Sequence, residues 1–191
     1  MLSSELRPAI VLTVILTVIT GIAYPLLVTG VAGVLFQQQA GGSLIVRDGT
    51  VVGSRLIAQG FNGEGYFHPR PSAAGADGYD ATSSSGSNFG AIDKRLLDRV
   101  GDAAEALRTE NPNVPIPVDL VTTSASGLDP DVTPAAARFQ APRVAHARGL
   151  DPTQVLALVE RHTEGRQWGF LGEPRVNVLA LNLALDASPA R

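Results

Sequence analysis

Hydrophobic and polar positions divide the chain sharply. Residues 8–46 contain no Asp, Glu, Lys or Arg, and residues 8–36 are apolar or weakly polar throughout. That exceeds the roughly 20 residues a helix needs to cross a bilayer. Ile10, Val11, Leu12, Val14, Ile15, Leu16, Val18, Ile19, Ile22, Leu26 and Leu27 crowd this run. At about -0.3 to -0.6 kcal/mol each, they outweigh the threonines and Pro25. A cleaved leader, with Val31, Ala32 and Gly33 as a cleavage site, is the competing reading, but its apolar core runs only about 7 to 15 residues. The pattern predicts a retained transmembrane helix over 8–36. Arg7 precedes it and the next basic residue is Arg47, so the positive-inside bias puts the tail 1–7 in the cytoplasm and the domain beyond the helix outside.

Along the span, Thr13, Thr17 and Thr20 recur at i, i+4 and i+7 beside Gly21, which puts hydroxyls and a small residue on one helical face. Such a face suits packing against another helix in lipid. Each hydroxyl can equally bond a carbonyl one turn back.

Past a polar connector over 37–42, residues 43–191 read as one mixed domain. Residues 43–57 form β-rich runs around Asp48-Gly49, a hairpin signal. From 60 to 90, Gly, Ser, Pro, Asn and Tyr dominate, which predicts a loop too long for a simple connection. Helical period returns at Phe89, Ile92, Leu96, Val100, Ala103, Ala104 and Leu107, with Ser87 or Asn88 as cap and Pro112 beyond the end. Residues 115–123 alternate, and with their prolines they predict an edge strand at best. A second loop covers 124–130. Thr133-Pro134 and Asp151-Pro152 predict helix starts, and Gly149 and Gly165 the corresponding stops. Pro142 is expected to kink or break the first of these helices. Residues 176–185 are apolar around Asn177 and Asn182, which predicts a strand to about Leu179 and then a short helix. The fold class is α+β: one N-terminal transmembrane helix followed by a single mixed α+β extracytoplasmic domain.

Composition removes several functions. A net charge of -3 and pI near 5.6 give no basic patch for nucleic acid. There is no cysteine, and His68, His146 and His162 lack the spacing of a zinc site. Neither a G-x-S-x-G elbow nor a phosphate-binding loop of the G-x-x-x-x-G-K-[ST] type occurs, and Lys94, the sole lysine, has no serine three residues before it. No catalytic residue, metal ligand or directly bound cofactor is therefore assigned. Ser83 to Asn88 could offer donors to an anion, but a capped helix entry accounts for the same residues. Asp129 and Asp131, flanked by Pro130 and Pro134, read as turn and capping residues. Tyr66, Phe67 and Arg70 in a proline-stiffened loop suit protein contacts, although the aromatics could simply tuck that loop onto its own domain.

Taken in order, several segments resemble the C subunit of the Kdp-type potassium-transporting P-type ATPases. They are LRPAI at 6–10, TGIAYPLL at 20–27, LIAQGF at 56–61, GYFHPRPSA at 65–73, SGSNFG at 85–90, VDLVTTSASGLDP at 118–130, TPAAA at 133–137, PRVAHARGL at 142–150 and VNVLALNLALD at 176–186. Ala58, Pro69 and Ser85 depart from it by standing where that family usually carries glycine, which bears on loop geometry alone.

The resemblance implies a non-catalytic accessory subunit in the cell membrane. Its partners would be a channel-like A subunit, an ATP-hydrolysing B subunit and a small F subunit, with ATP and potassium engaged at the level of the complex. It also implies a chaperone-like effect that raises the ATP affinity of the B subunit. Carried onto these segments, the expected partner contacts are Tyr66, Phe67, Arg70, Ser72, Asn88, Ser124, Ser126, Asp129 and Arg143, with Thr13, Thr17, Thr20 and Gly21 on the membrane helix. The alternatives are a stand-alone tethered binding module outside the membrane and an anchored hydrolase with an unfamiliar site.

Overall fold

The structure, a computed structural model, describes residues 2–187. Residue 1 of the tail and residues 188–191 of the domain lie outside the described residues. The chain divides into two compact units, Met1–Leu44 and Ile45–Arg191.

In the first unit, α1 (Leu2–Val18) leads through a π-helical turn (Ile19–Ala23) into α2 (Tyr24–Leu35), and a single turn, α3 (Gln37–Ala40), comes next. Together they supply a helix, Ser4–Leu35, long and apolar enough to cross a membrane. Its apolar side chains stand bare, Leu26 and Leu27 among them. The wide turn sits directly before Pro25, whose missing N–H removes an α-helical bond at this level; Tyr24 N–H instead reaches back to the Ile19 carbonyl.

Apart from Leu44, the hairpin of β1 (Leu44–Arg47) and β2 (Thr50–Ser54) opens the second unit, turned at Asp48-Gly49, where both residues have positive φ. After the long loop come α4 (Lys94–Glu110), β3 (Asp131–Val132), α5 (Pro134–Arg148), α6 (Pro152–Arg161), β4 (Thr163–Glu164), β5 (Arg175–Asn177) and α7 (Val178–Asp186). β5 is the centre of an antiparallel sheet ordered β3-β5-β4, with Val176 opposite both Val132 and Thr163. Phe139 and Val144 of α5, Val155 and Val159 of α6, Leu181 and Leu185 of α7, Val176 of β5 and Phe67 from the loop form one buried cluster. Ala136, Ala137, Ala141 and Ala145 are fully buried in it, and their small side chains let the neighbours of α5 approach closely.

Caps behave as their chemistry requires at Thr133, whose hydroxyl accepts from Ala136 N–H, and at Asp151, whose carboxylate accepts from Thr153 N–H. Gly149 ends α5 in the left-handed region, at φ 63°.

Elsewhere the structure corrects the expectations. α4 starts at Lys94 on an Asp93 cap, not at Ser87 or Asn88; Phe89 and Ile92 precede it, and Ile92 is 95% exposed. Residues 115–123 form no strand. They run as coil into a 3-10 turn at Val118–Leu120, because Pro115 and Pro117 cannot donate to a ladder. α5 passes through Pro142 unbroken. Pro142 and Arg138 one turn earlier both lie on its exposed face, so the carbonyl without a partner meets water. α6 stops at Arg161, before Gly165, where the chain enters β4. The last strand yields to helix at Asn177, not Leu179, because the Asn177 side chain accepts from Ala180 N–H and caps α7.

Candidate functional site

The loop over 60–90 is ordered by its own polar groups and by two side-chain amides. Asn182, 1% exposed in α7, accepts from Phe67 N–H at 2.9 Å and donates to the Phe67 carbonyl at 2.9 Å. Gln140 of α5 does the same for His68, at 2.8 and 3.1 Å. Successive residues of an extended chain present their amide groups to opposite edges, so these amides grip the segment from both sides as flanking strands would. Phe67 is 0% exposed, which makes its side chain part of the core and withdraws it from any surface contact.

Beneath this segment Arg143 donates to the Glu110 carboxylate at 3.0 Å, to the Tyr66 carbonyl at 3.0 Å, to the Glu64 carbonyl and to Gln140 Oε1 at 2.9 Å. Arg148 donates to the Gly65 carbonyl, pairs with Asp186 at 2.8 Å and lies 4.6 Å from the centre of the Tyr66 ring. Phe61 packs against the same ring, 5.6 Å between centroids. His68 sits in the same place, half-buried; burial first, and then the Arg143 charge, hold its imidazolium below the ordinary histidine range.

Beyond the grip, Arg70 reaches Asp129 at 3.3 Å, the Thr122 hydroxyl at 3.3 Å and the Thr123 carbonyl at 3.2 Å, which ties the first loop to the second. Ser72 donates to the Gly127 carbonyl at 2.6 Å and accepts from Ala74 and Tyr79 N–H. Tyr79 in turn donates to the Arg70 carbonyl, and burial raises its phenol above the usual tyrosine range. The backbones meet at Gly127, φ 66°, where a Cβ would fall 2.5 Å from the Ser85 carbonyl oxygen and 2.8 Å from Ala74 N. Only glycine fits there. Ser85 N–H donates to the Ser126 carbonyl at 2.9 Å, and the Ser124 and Ser126 hydroxyls stand 3.5 Å apart.

The structure therefore brings Arg70, Ser72, Ser126 and Asp129 into one surface made of two interlocked loops, whereas Ser124, also expected as a contact, is buried beneath it because its side chain packs into the loop crossing. Asn88 is exposed on the same long loop, with φ 51°. Tyr66 and Arg143 belong to the underside that fixes the loop to α5. On the membrane helix, Thr20 donates to the Leu16 carbonyl at 2.7 Å, the internal alternative, while a Cβ on Gly21 would sit 3.9 Å from the Thr17 methyl, which places both on one face.

Beside Arg70 opens a cleft of about 270 Å³ lined by Asp119, Asp129, Asp131, Thr133, Glu173 and Arg175, among others. Asp119 is buried and accepts from Thr133 N–H at 2.7 Å and from its hydroxyl at 3.1 Å. Asp131 pairs with Arg175 and accepts from Asn177; its carboxyl is raised above the ordinary range, chiefly by burial. Of these carboxylates only Asp129 stands among the contacts expected from the sequence, and Gln140 and Asn182 are likewise missing from them. The available signal was a polar residue inside an apolar helical run. Among the described residues no group of His, Asp and Glu could hold a metal ion. Guanidinium and carboxylate alternate across loops held by backbone bonds, an arrangement suited to recognising a protein surface by charge and shape.

Comparison with known proteins adds an independent observation. The family model described as "K+-transporting ATPase, c chain" matches residues 6–187. The chain is 57% identical over 195 residues to the "Potassium-transporting ATPase KdpC subunit" of Rhodopseudomonas palustris (strain BisB5), covering 96% of this chain and 97% of that protein. It is 60% identical over 183 residues to the protein of the same name from Rhodospirillum rubrum, covering 95% and 94%, and 60% identical over 186 residues to that of Caulobacter sp. (strain K31), covering 96% and 94%.

Proposed function

The chain belongs to the KdpC family, the c chains of K+-transporting ATPases, and from that premise we propose that it assembles with the channel-like A, ATP-hydrolysing B and small F subunits of a potassium pump and supports their activity without catalysing a reaction itself. Its domain stands on the extracytoplasmic side and its helix packs among those of its partners. The observation that carries this reading is the unbroken family match through both the bare apolar helix and the loop-bearing domain.

On this topology the domain never meets ATP, which lies across the membrane. An effect on the ATP affinity of the B subunit then requires that the domain bind one conformation of the pump better than another, since only differential affinity shifts such an equilibrium. The interlocked loops supply a surface firm enough to discriminate, because Arg70, Ser72 and Gly127 fix its shape.

Tagged chain solubilised from its own membranes in mild detergent is expected to bring large polytopic partners, and adding it to partners prepared without it is expected to raise potassium-stimulated ATP hydrolysis at limiting ATP. Recovery as a free chain would favour a stand-alone tethered module instead. Arg70→Ala is expected to weaken capture of the channel-like subunit, with partial rescue by Arg70→Lys. Unchanged transport at limiting potassium in Arg70→Ala would remove these loops from the interface.

A further inference from the structure

Between β4 and β5 the chain makes a closed tip that neither the core nor the loop surface uses. Gln167 and Leu171 exchange backbone hydrogen bonds, each at 2.9 Å, while Gly169 N–H donates to the Arg166 carbonyl and Phe170 N–H to the Gln167 carbonyl. Trp168, φ 52°, and Gly169, φ 83°, turn the chain at its end. A bulky residue in the left-handed region is unusual, and here the turn holds the indole away from the domain. Trp168 is 84% exposed and Phe170 68%, with Leu171 beside them. No charged residue occurs from 167 to 172, and at the base Arg166 and Glu173 neutralise one another at 2.6 Å.

We propose that this tip dips into the interfacial layer of the bilayer that carries the chain's own helix, giving the domain a second, reversible attachment to lipid. Grouped exposed apolar side chains mark a contact surface. Tryptophan in particular favours the boundary between headgroups and acyl chains, where its ring is buried and its N–H stays wet. The connector 37–42 is only six residues long, a helical turn and two glycines, so the domain is tethered close to a bilayer. The wedge itself is short and uncharged, and the Arg166–Glu173 pair behind it falls where headgroups and water would solvate both ions. Without net charge at the tip, attachment should differ little between zwitterionic and anionic lipid.

Trp168 is the only tryptophan in the chain, so its fluorescence reports the tip directly. The full chain, reconstituted into phosphatidylcholine vesicles whose acyl chains carry bromine close to the headgroup, alone and again with its pump partners, is expected to show blue-shifted emission, quenched at least twofold by bromine and shielded from aqueous iodide. Phe170→Ser with Leu171→Ser, both outside the core, should restore iodide access while leaving circular dichroism unchanged. An indole open to iodide and untouched by bromine would overturn the proposal, and so would one shielded from both quenchers, because protein would then cover it. The vesicle measurement without partners succeeds or fails independently of the assembly reading.

Discussion

At the scale of single residues, the domain depends on amides buried to satisfy the backbone of a distant segment. Asn182 satisfies both polar groups of Phe67 where no water reaches. Asn182→Ala should therefore cost on the order of 3 kcal/mol, because it strands a buried donor and acceptor together; chemical denaturation of the full chain measures it, and a loss below about 1 kcal/mol would mean the loop rearranges cheaply. His68 gives a pH signature. Its folded-state affinity for a proton is lowered, by burial first and by Arg143 next, so below pH 6.5 the unfolded chain takes up a proton that the folded chain resists. Stability from this source is complete above pH 6.5 and is lost as pH falls through the window beneath it. His68→Gln should flatten the decline in thermal midpoint between about pH 7 and 5; parallel curves for both proteins would exclude His68 as its origin. Arg70 and Ser72 could be singled out from a proline-stiffened loop, but that both fasten the first loop to the second was not legible, since their partners lie more than fifty residues away. Phe67 was misplaced since an aromatic in a loop carries no mark of which way it faces.

Elements were legible where a local interaction decides them and illegible where a distant one does. Thr133-Pro134 and Asp151-Pro152 start helices because cap and first turn lie within four residues. α4 was given the right stripe, since Leu96, Val100, Ala103, Ala104 and Leu107 lie on its half-buried side. Its start was placed early because Phe89 and Ile92 fit the period, whereas Phe89 in fact lies under the guanidinium groups of Arg95 and Arg99, 4.6 and 5.4 Å from its centre. Pro142 shows tertiary packing overriding propensity: buried alanines and Phe139 on the inner side of α5 hold the helix through a residue that should end it. Pro142→Ala adds the missing N–H at an exposed position and is expected to raise stability by about 1 kcal/mol or more, read as a higher thermal midpoint. A lower midpoint would show that the ring itself packs against something the helix needs.

For the whole molecule, the helix and the domain form separate compact units. Under the proposed assembly, the face shared by Thr17 and Gly21 offers small and hydroxylated groups to another helix, while the Thr20 hydroxyl is committed to Leu16. Thr17→Leu is expected to loosen the assembly, with a several-fold loss of co-purifying partners in mild detergent while the chain still inserts. Undiminished recovery would leave lipid as the occupant of that face.

By itself the sequence determined the membrane helix, the α+β class, the caps at Thr133 and Asp151, the order of family segments and the absence of a recognisable catalytic motif. Each of these rests on composition, period or contacts between near neighbours, which the one-dimensional order contains. Tertiary structure alone decided that Asn182 and Gln140 hold the 67–68 backbone from opposite edges, that Arg143 is a fastener beneath the loop, that Asp119 and Asp131 line a cleft, and that Trp168 stands in the open. Those outcomes depend on residues far apart in the chain meeting in space, or on a turn aiming one side chain outward, and neither leaves a periodic trace in the sequence.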